Sequence, residues 1–202
     1  MNVRIAQLLC FNAGAWYDGE LEMNQYTIKL WMITQSESAL EQNIAFRRAK
    51  HFIHNELENT IFIDSEDPHC EKLVQASLDL TTLPGDPADQ LIGIMLFHKL
   101  NAIMEGRIVV VEVEISAGDA VVYLHGENET SESLPIPDWW TTADPIHSDY
   151  STTESDKVLS IPQGTSWREL ELAWPTDWPT EVDAPSGNIV VFADFKQTDD
   201  TK

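Results

Sequence analysis

Two histidines and a glutamate within the stretch HFIHNELE (His51, His54 and Glu58) are the residues here whose types and spacing most resemble a metal site. On a helix at 100° per residue the three side chains converge, and imidazole with carboxylate is a common zinc donor set. Arg47 falls on the same face. A guanidinium beside a cation is a poor choice unless it binds a substrate anion, and the spacing is not the HExxH of zinc proteases. A solvated helix face with a His54–Glu58 contact at i,i+4 accounts for the same residues without an ion. That reading is adopted, with no cofactor expected.

A second polar group, His98, Asn101 and Glu105, forms a stripe on an otherwise apolar helix. Buried polar groups need partners, so the stripe either bonds to neighbouring loops or lines a small cleft, and the satisfied core histidine is the reading favoured. The third group is aromatic and acidic. Asp138, Trp139, Trp140, Trp167, Trp174 and Trp178 lie among prolines and carboxylates, a composition suited to a contact surface for a partner protein. The competing reading makes these tryptophans core filler. There is no glycine-rich phosphate loop and no GxSxG elbow, and the abundance of carboxylates makes any chosen acid–base pair arbitrary. A catalytic set is therefore not assigned, and a non-enzymatic role is favoured.

These residues must be positioned by elements that change character along the chain. VRIAQLLCF and QYTIKLWMI read as two strands, joined by turn chemistry in NAGAWYDGELEMN. Ser38 and Glu41 fit a capping box opening a helix over 39–58, with Ala45, Phe46, Ala49, Phe52, Ile53 and Leu57 on its core side. TIFID is a short extended piece. Asp67-Pro68 and Asp86-Pro87 each predict a helix start, the first running to about 77 and the second stopping at Gly106. RIVVVEVEISAGDAVVYLH reads as a hairpin with Val109, Val111, Val113 and Ile115 on one face. The expected fold class is α+β: an antiparallel sheet in β-β-α-α-α-β-β order, packed by helices.

Residues 1–125 form the α+β domain on this reading, and 126–202 an acidic extension with short strands, NIVVFADF the clearest, packed on it. The extension holds 16 acidic and 4 basic side chains and five of the seven tryptophans. The whole chain has 202 residues and carries 34 Asp plus Glu against 12 Lys plus Arg, a formal net charge of -22. Such a field repels phosphate backbones, which argues against direct nucleic-acid binding. The first reading is that it keeps the protein soluble or suits a salty setting, and if a partner is engaged a basic protein fits best. Mimicry of DNA towards a host protein is a further alternative. Cys10 and Cys70 stand alone and read as reduced thiols. The N-terminal apolar run is too short for a membrane span, so a cytoplasmic protein without membrane contact is expected.

The order of elements in 3–125 resembles the tunnelling fold of pterin-handling enzymes, in which helices separate two hairpins and subunits assemble into barrels. In VEVEISAGDAVVYL, Glu114 sits like the pterin-anchoring glutamate of that family. The resemblance implies a purine- or pterin-like ligand in a homo-oligomer, with His98, Asn101, Glu105 and Glu114 around the cleft. It departs in QYTIKLWMI, which lacks the family's HxH zinc ligands. TTLPGDPADQLIGIMLFHKLNAIMEGRIVVVEVEIS, PDWWTTAD and WRELELAWP resemble an uncharacterised protein of tailed, particularly marine, bacteriophages. That resemblance implies an accessory or virion-assembly protein in the host cytoplasm or the virion, acting on a virion component or a basic host protein, and it is the reading preferred from sequence.

Overall fold

The computed structural model describes residues 4–118, 122–126, 134–146 and 166–177. Trp178 and NIVVFADF lie outside the described residues. The fold is α+β. Six strands, β1 (Arg4–Tyr17), β2 (Glu20–Thr34), β3 (Ile61–Asp64), β4 (Leu80–Leu83), β5 (Ile108–Ala117) and β6 (Tyr123–Gly126), form one sheet in the order β4-β3-β1-β2-β5-β6. Three helices separate the hairpins, α1 (Ala39–His51), α2 (Cys70–Gln75) and α3 (Asp89–Met104), and α4 (Asp138–Thr141) follows β6.

The first hairpin is longer than its two apolar runs suggest. β1 and β2 pair without interruption from Arg4↔Ile33 to Tyr17↔Glu20, and only Asp18 and Gly19 turn the chain, both at positive φ (51° and 81°). Asp-Gly is a strong two-residue hairpin signal, and it makes strand of what reads as a connecting loop. β3 and β4 add to the outer side of β1, running parallel to it. At four residues each they are too short for periodicity to reveal, and TTL was not expected as strand.

α1 and α3 cover one face. Phe11, Tyr26, Ile28, Leu30, Met32, Val113 and Ile115 point into the core against α1 and α3. A bulge in β5, where Trp31 faces Glu112 and the next residue, Met32, faces Val110, changes the expected alternation. Ile108 and Val110 take the buried side below it, in place of Val109 and Val111. α2 packs on the opposite face at its β3–β4 end, where Cys70, Leu73 and Val74 meet Ile61, Ile63, Leu80 and Trp16. Over β2 and β5 that face carries no layer among the described residues.

Helix boundaries follow local chemistry in part. Ser38 caps α1 by accepting from the Glu41 N–H, while the Glu41 carboxylate accepts from Ser36 rather than closing the box. Asp67 accepts from the His69 N–H just before α2. Asp86 does not cap α3. Ala88 takes that place, and Asp89 instead accepts from the Ala117 N–H, tying the helix to β5. α3 ends where Glu105 and Gly106 turn left-handed.

Candidate functional site: the bare sheet face and the anchored C-terminal segments

The three residues of HFIHNELE do not converge. Phe52–Glu56 forms a π-turn, closed by the Leu57 N–H donating to Phe52 O at 3.1 Å. The wider turn rotates every residue after His51 away from the α-helical wheel. His51 Nε2 meets Glu56 Oε1 at 3.1 Å, an i,i+5 partner, and its ring packs against Trp167. His54 is exposed, and Glu58 leaves the helix to accept from the Asn12 backbone N–H and side-chain amide on β1. The expected His54–Glu58 contact is absent from these bonds. Among the described residues, no three His, Cys, Asp or Glu side chains stand close enough to hold a metal ion.

The proposed cleft of His98, Asn101, Glu105 and Glu114 is also divided. Asn101 serves the backbone: its amide donates to Phe97 O and Val110 O and accepts from the Val110 N–H at 2.8 Å, closing β5 beside its bulge. Glu105 accepts from Arg48 Nη1 at 2.7 Å and from Trp174 Nε1 at 2.8 Å. His98 packs against β6 and α4. Glu114 alternates with the buried Val113 and Ile115 and therefore lies on the other, bare face of the sheet.

On that face Glu114 is the centre of a polar group that sequence reasoning placed only in part. Trp31 Nε1 donates to its carboxylate at 2.9 Å and Lys29 Nζ at 3.2 Å. Lys29 lies 4.4 Å and Arg4 5.0 Å from the Trp31 ring centroid. The Trp31 N–H first, and Lys29 with it, hold the Glu114 carboxyl below its usual range, so it is ionised at neutral pH. The register Lys29↔Glu114 was the available signal, since both alternate with buried apolar neighbours.

The sheet is open along part of β1. Asn12 O accepts from the Asn59 N–H and the Gly14 N–H donates to Thr60 O, so these residues direct their backbone groups outward. By alternation Ala6, Leu8 and Cys10 do the same, and β3 reaches only Gly14 and Ala15. Their outward groups meet no backbone partner among the described residues. Leu8, at 66% exposure, is on the same stretch.

The tryptophans expected at a contact surface are buried. Trp139, Trp140, Trp167 and Trp174 all belong to the main core, while Asp138 is exposed at the start of α4. Arg48, buried on α1, explains much of this. Its Nε donates to Leu172 O at 2.8 Å and its Nη1 to Ile103 O at 3.0 Å, and its guanidinium lies 3.9 Å from the Trp174 ring and 4.9 Å from Trp167. Trp167 Nε1 donates to Ala143 O, which joins the two C-terminal segments. Lys99, also buried, donates to Trp139 O at 2.8 Å and Thr142 O at 3.1 Å. Nothing in the local pattern of α1 or α3 distinguishes these two cations from surface residues. Burial lowers the Arg48 pKa while Glu105 opposes the shift.

No helix among the described residues is long and apolar enough to cross a membrane. No family model and no curated protein matches the sequence, and the phage resemblance finds no counterpart in them. Solved structures are similar to part of the chain. An uncharacterised protein from Wolinella succinogenes aligns at 14% identity over 63% of this chain and 99% of its own, with a TM-score of 0.48. The 6-pyruvoyl tetrahydropterin synthases of Plasmodium vivax and Caenorhabditis elegans align at 12% and 10% identity over 64% and 63% of this chain, 99% and 97% of theirs, with TM-scores of 0.45 and 0.43.

Proposed function

We propose that the chain is a small-molecule-binding protein of tunnelling-fold type, taking a planar nitrogen heterocycle of purine or pterin kind at Glu114, without the zinc site of that family. The observation that carries this reading is the ionised Glu114 carboxylate on a sheet face that no described residue covers over β2 and β5, beside the Trp31 ring. A carboxylate offers two oxygens to the paired N–H groups at the edge of such a heterocycle, and charge-assisted bonds of this kind are among the strong ones. The sequential antiparallel order β1-β2-β5-β6, with helices on one side, and the open edge at Ala6–Cys10 support assembly of copies around the bare face. β2 holds no histidine, so no zinc-dependent step is drawn for it.

Native mass spectrometry of the purified chain, followed by titration with guanine and pterin, tests the reading. An oligomer binding one heterocycle per chain is expected, and Glu114→Gln should weaken binding about 10- to 100-fold, the loss of one charged hydrogen-bonding group. A monomer that binds neither compound, or unchanged binding by the variant, sinks it.

A second reading, contact with a protein partner and no chemistry, rests on the tip of the first hairpin. Tyr17, Leu21 and Met23 are exposed there at 54%, 45% and 61%. If Leu21→Ser with Met23→Ser leaves the captured proteins unchanged while the fold survives, this reading fails.

A further inference from the structure

Beside α3, aromatic rings from three elements meet around His98. Its imidazole lies nearly parallel to the Trp140 indole on α4, with 22° between planes and 6.2 Å between centroids. The His125 ring on β6 is 6.4 Å away, and Phe97 stands edge-on to both histidines at 5.6 Å and 5.0 Å. Trp140 is fully buried and its Nε1–H has no hydrogen-bond partner among the described residues. His98 is half-buried, and its ring makes no hydrogen bond among the described residues. Its ring contacts among the described residues are with Phe97, His125 and Trp140.

We propose that His98 is a proton-operated latch on α4: the neutral imidazole packs on Trp140 and holds the Trp139–Trp140 segment to α3, and the protonated ring loosens it. A new positive charge there faces an indole, a phenyl ring and a second imidazole, and charging a group in such surroundings is costly. A cation–π contact with Trp140, at 6.2 Å between centroids, lies at the outer limit of such contacts and offsets only part of that cost. The other titratable or charged groups on the packed elements are few. β6 brings His125 and Tyr123, α4 and the residues after it bring Asp138 and Asp144, both exposed, and α3 itself brings Lys99, bonded to Trp139 and Thr142. β5 turns Glu112 and Glu114 to the opposite face, and α1 brings Arg48, engaged at Ile103 and Glu105.

Burial first, and His125 next, hold the His98 pKa below its ordinary 6.5. For a histidine depressed in this way, the stability contributed by the neutral ring is complete above the unfolded value and is lost as pH falls through the lower folded one. The latch therefore opens on mild acidification and closes reversibly.

Tryptophan emission of the full chain, followed from pH 8 to pH 5 with far-UV circular dichroism in parallel, tests this. A reversible red shift with a midpoint below pH 6.5 and unchanged secondary structure is expected. His98→Gln should abolish the shift. His125→Gln should move its midpoint to higher pH. A shift that His98→Gln retains, no shift in the parent chain, or a shift accompanied by loss of secondary structure overturns the proposal. Should His98→Gln not fold, nuclear magnetic resonance titration of the His98 ring protons in the parent chain decides. A midpoint coincident with the emission change supports the latch, and one at or above the ordinary value overturns it.

Discussion

Two buried cations anchor the chain beyond β6, and they do it differently. Arg48 lies under residues 166–177 and Lys99 under 138–142, so each C-terminal segment closes over a positive charge from the helical layer. Arg48 uses the shape of its group. The flat guanidinium lies beside Trp174 and Trp167, donates to two carbonyls and pairs with the Glu105 carboxylate, which also accepts from Trp174. Lys99 acts as a point donor, its described bonds going to Trp139 O, Thr142 O and Thr142 Oγ1, with the Trp139 and Phe52 rings 5.7 Å and 5.9 Å away. A guanidinium is weakly hydrated and can be covered by ring faces, whereas an ammonium must keep oxygens around it. In a chain with only 12 Lys and Arg, two are thus internal fasteners. The formal net charge of -22 already counts both of them.

The contrast can be broken most severely at Arg48. Arg48→Met takes this donor from Leu172 O and Ile103 O and leaves the half-exposed Glu105 with Trp174 and Arg107, a loss of about 3 kcal/mol, the lower end of the cost of breaking a buried pair from one side. Urea unfolding should register that loss, and proteolysis should cut first within 166–177. Lys99→Met should cost about 1–3 kcal/mol, from carbonyls left unsatisfied, with protease sensitivity appearing instead at 138–142. Arg48→Lys sharpens the comparison: charge is kept but the stacked fork is lost, so denaturation should show a loss smaller than that of Arg48→Met, about 1–2 kcal/mol. If Arg48→Lys equals the parent chain, shape contributes nothing and the contrast collapses.

The smallest effect is expected at the exposed counterpart, Lys29–Glu114. Side-chain exposures of 36% and 27% place this pair where ion pairs contribute about 0–1 kcal/mol. Because the Glu114 carboxyl is held below its ordinary 4.5, its contribution is complete above that pH and disappears as pH falls through the lower folded value. The stability of Glu114→Gln measured between pH 6 and pH 3 should lack this component of the acid decline.

Much of the scaffold was legible from particular residues. The alternation of Tyr26, Ile28, Leu30 and Met32 placed β2, the apolar length of residues 89–104 marked α3 as buried, and Gly106 marked its end. Other features depend on contacts that a local pattern does not contain. TIFID reads as extended, but that β3 joins the sheet depends on the edge β1 offers it, and β4 is a strand because β3 in turn offers it one. Val110 replaces Val109 and Val111 in the core because a bulge inserts one residue, and Asn101 holds that irregularity in place. Arg48 and Lys99 look like ordinary helix-surface cations until segments 124 and 40 residues away close over them. For the same reason the tryptophans read equally well as surface or as core from composition alone, and the four that are described are core.

The π-turn at Phe52–Glu56 has a consequence for helical phase. On a regular α-helix Leu57 would sit about 140° around the axis from Phe52; here both are fully buried. Were Asn55 absent, Leu57 would become the i+4 neighbour of Phe52, about 40° away and still inward on a regular α-helix. The wide turn is thus a length buffer. It absorbs one surplus residue ahead of β3 without turning Leu57 out of the core.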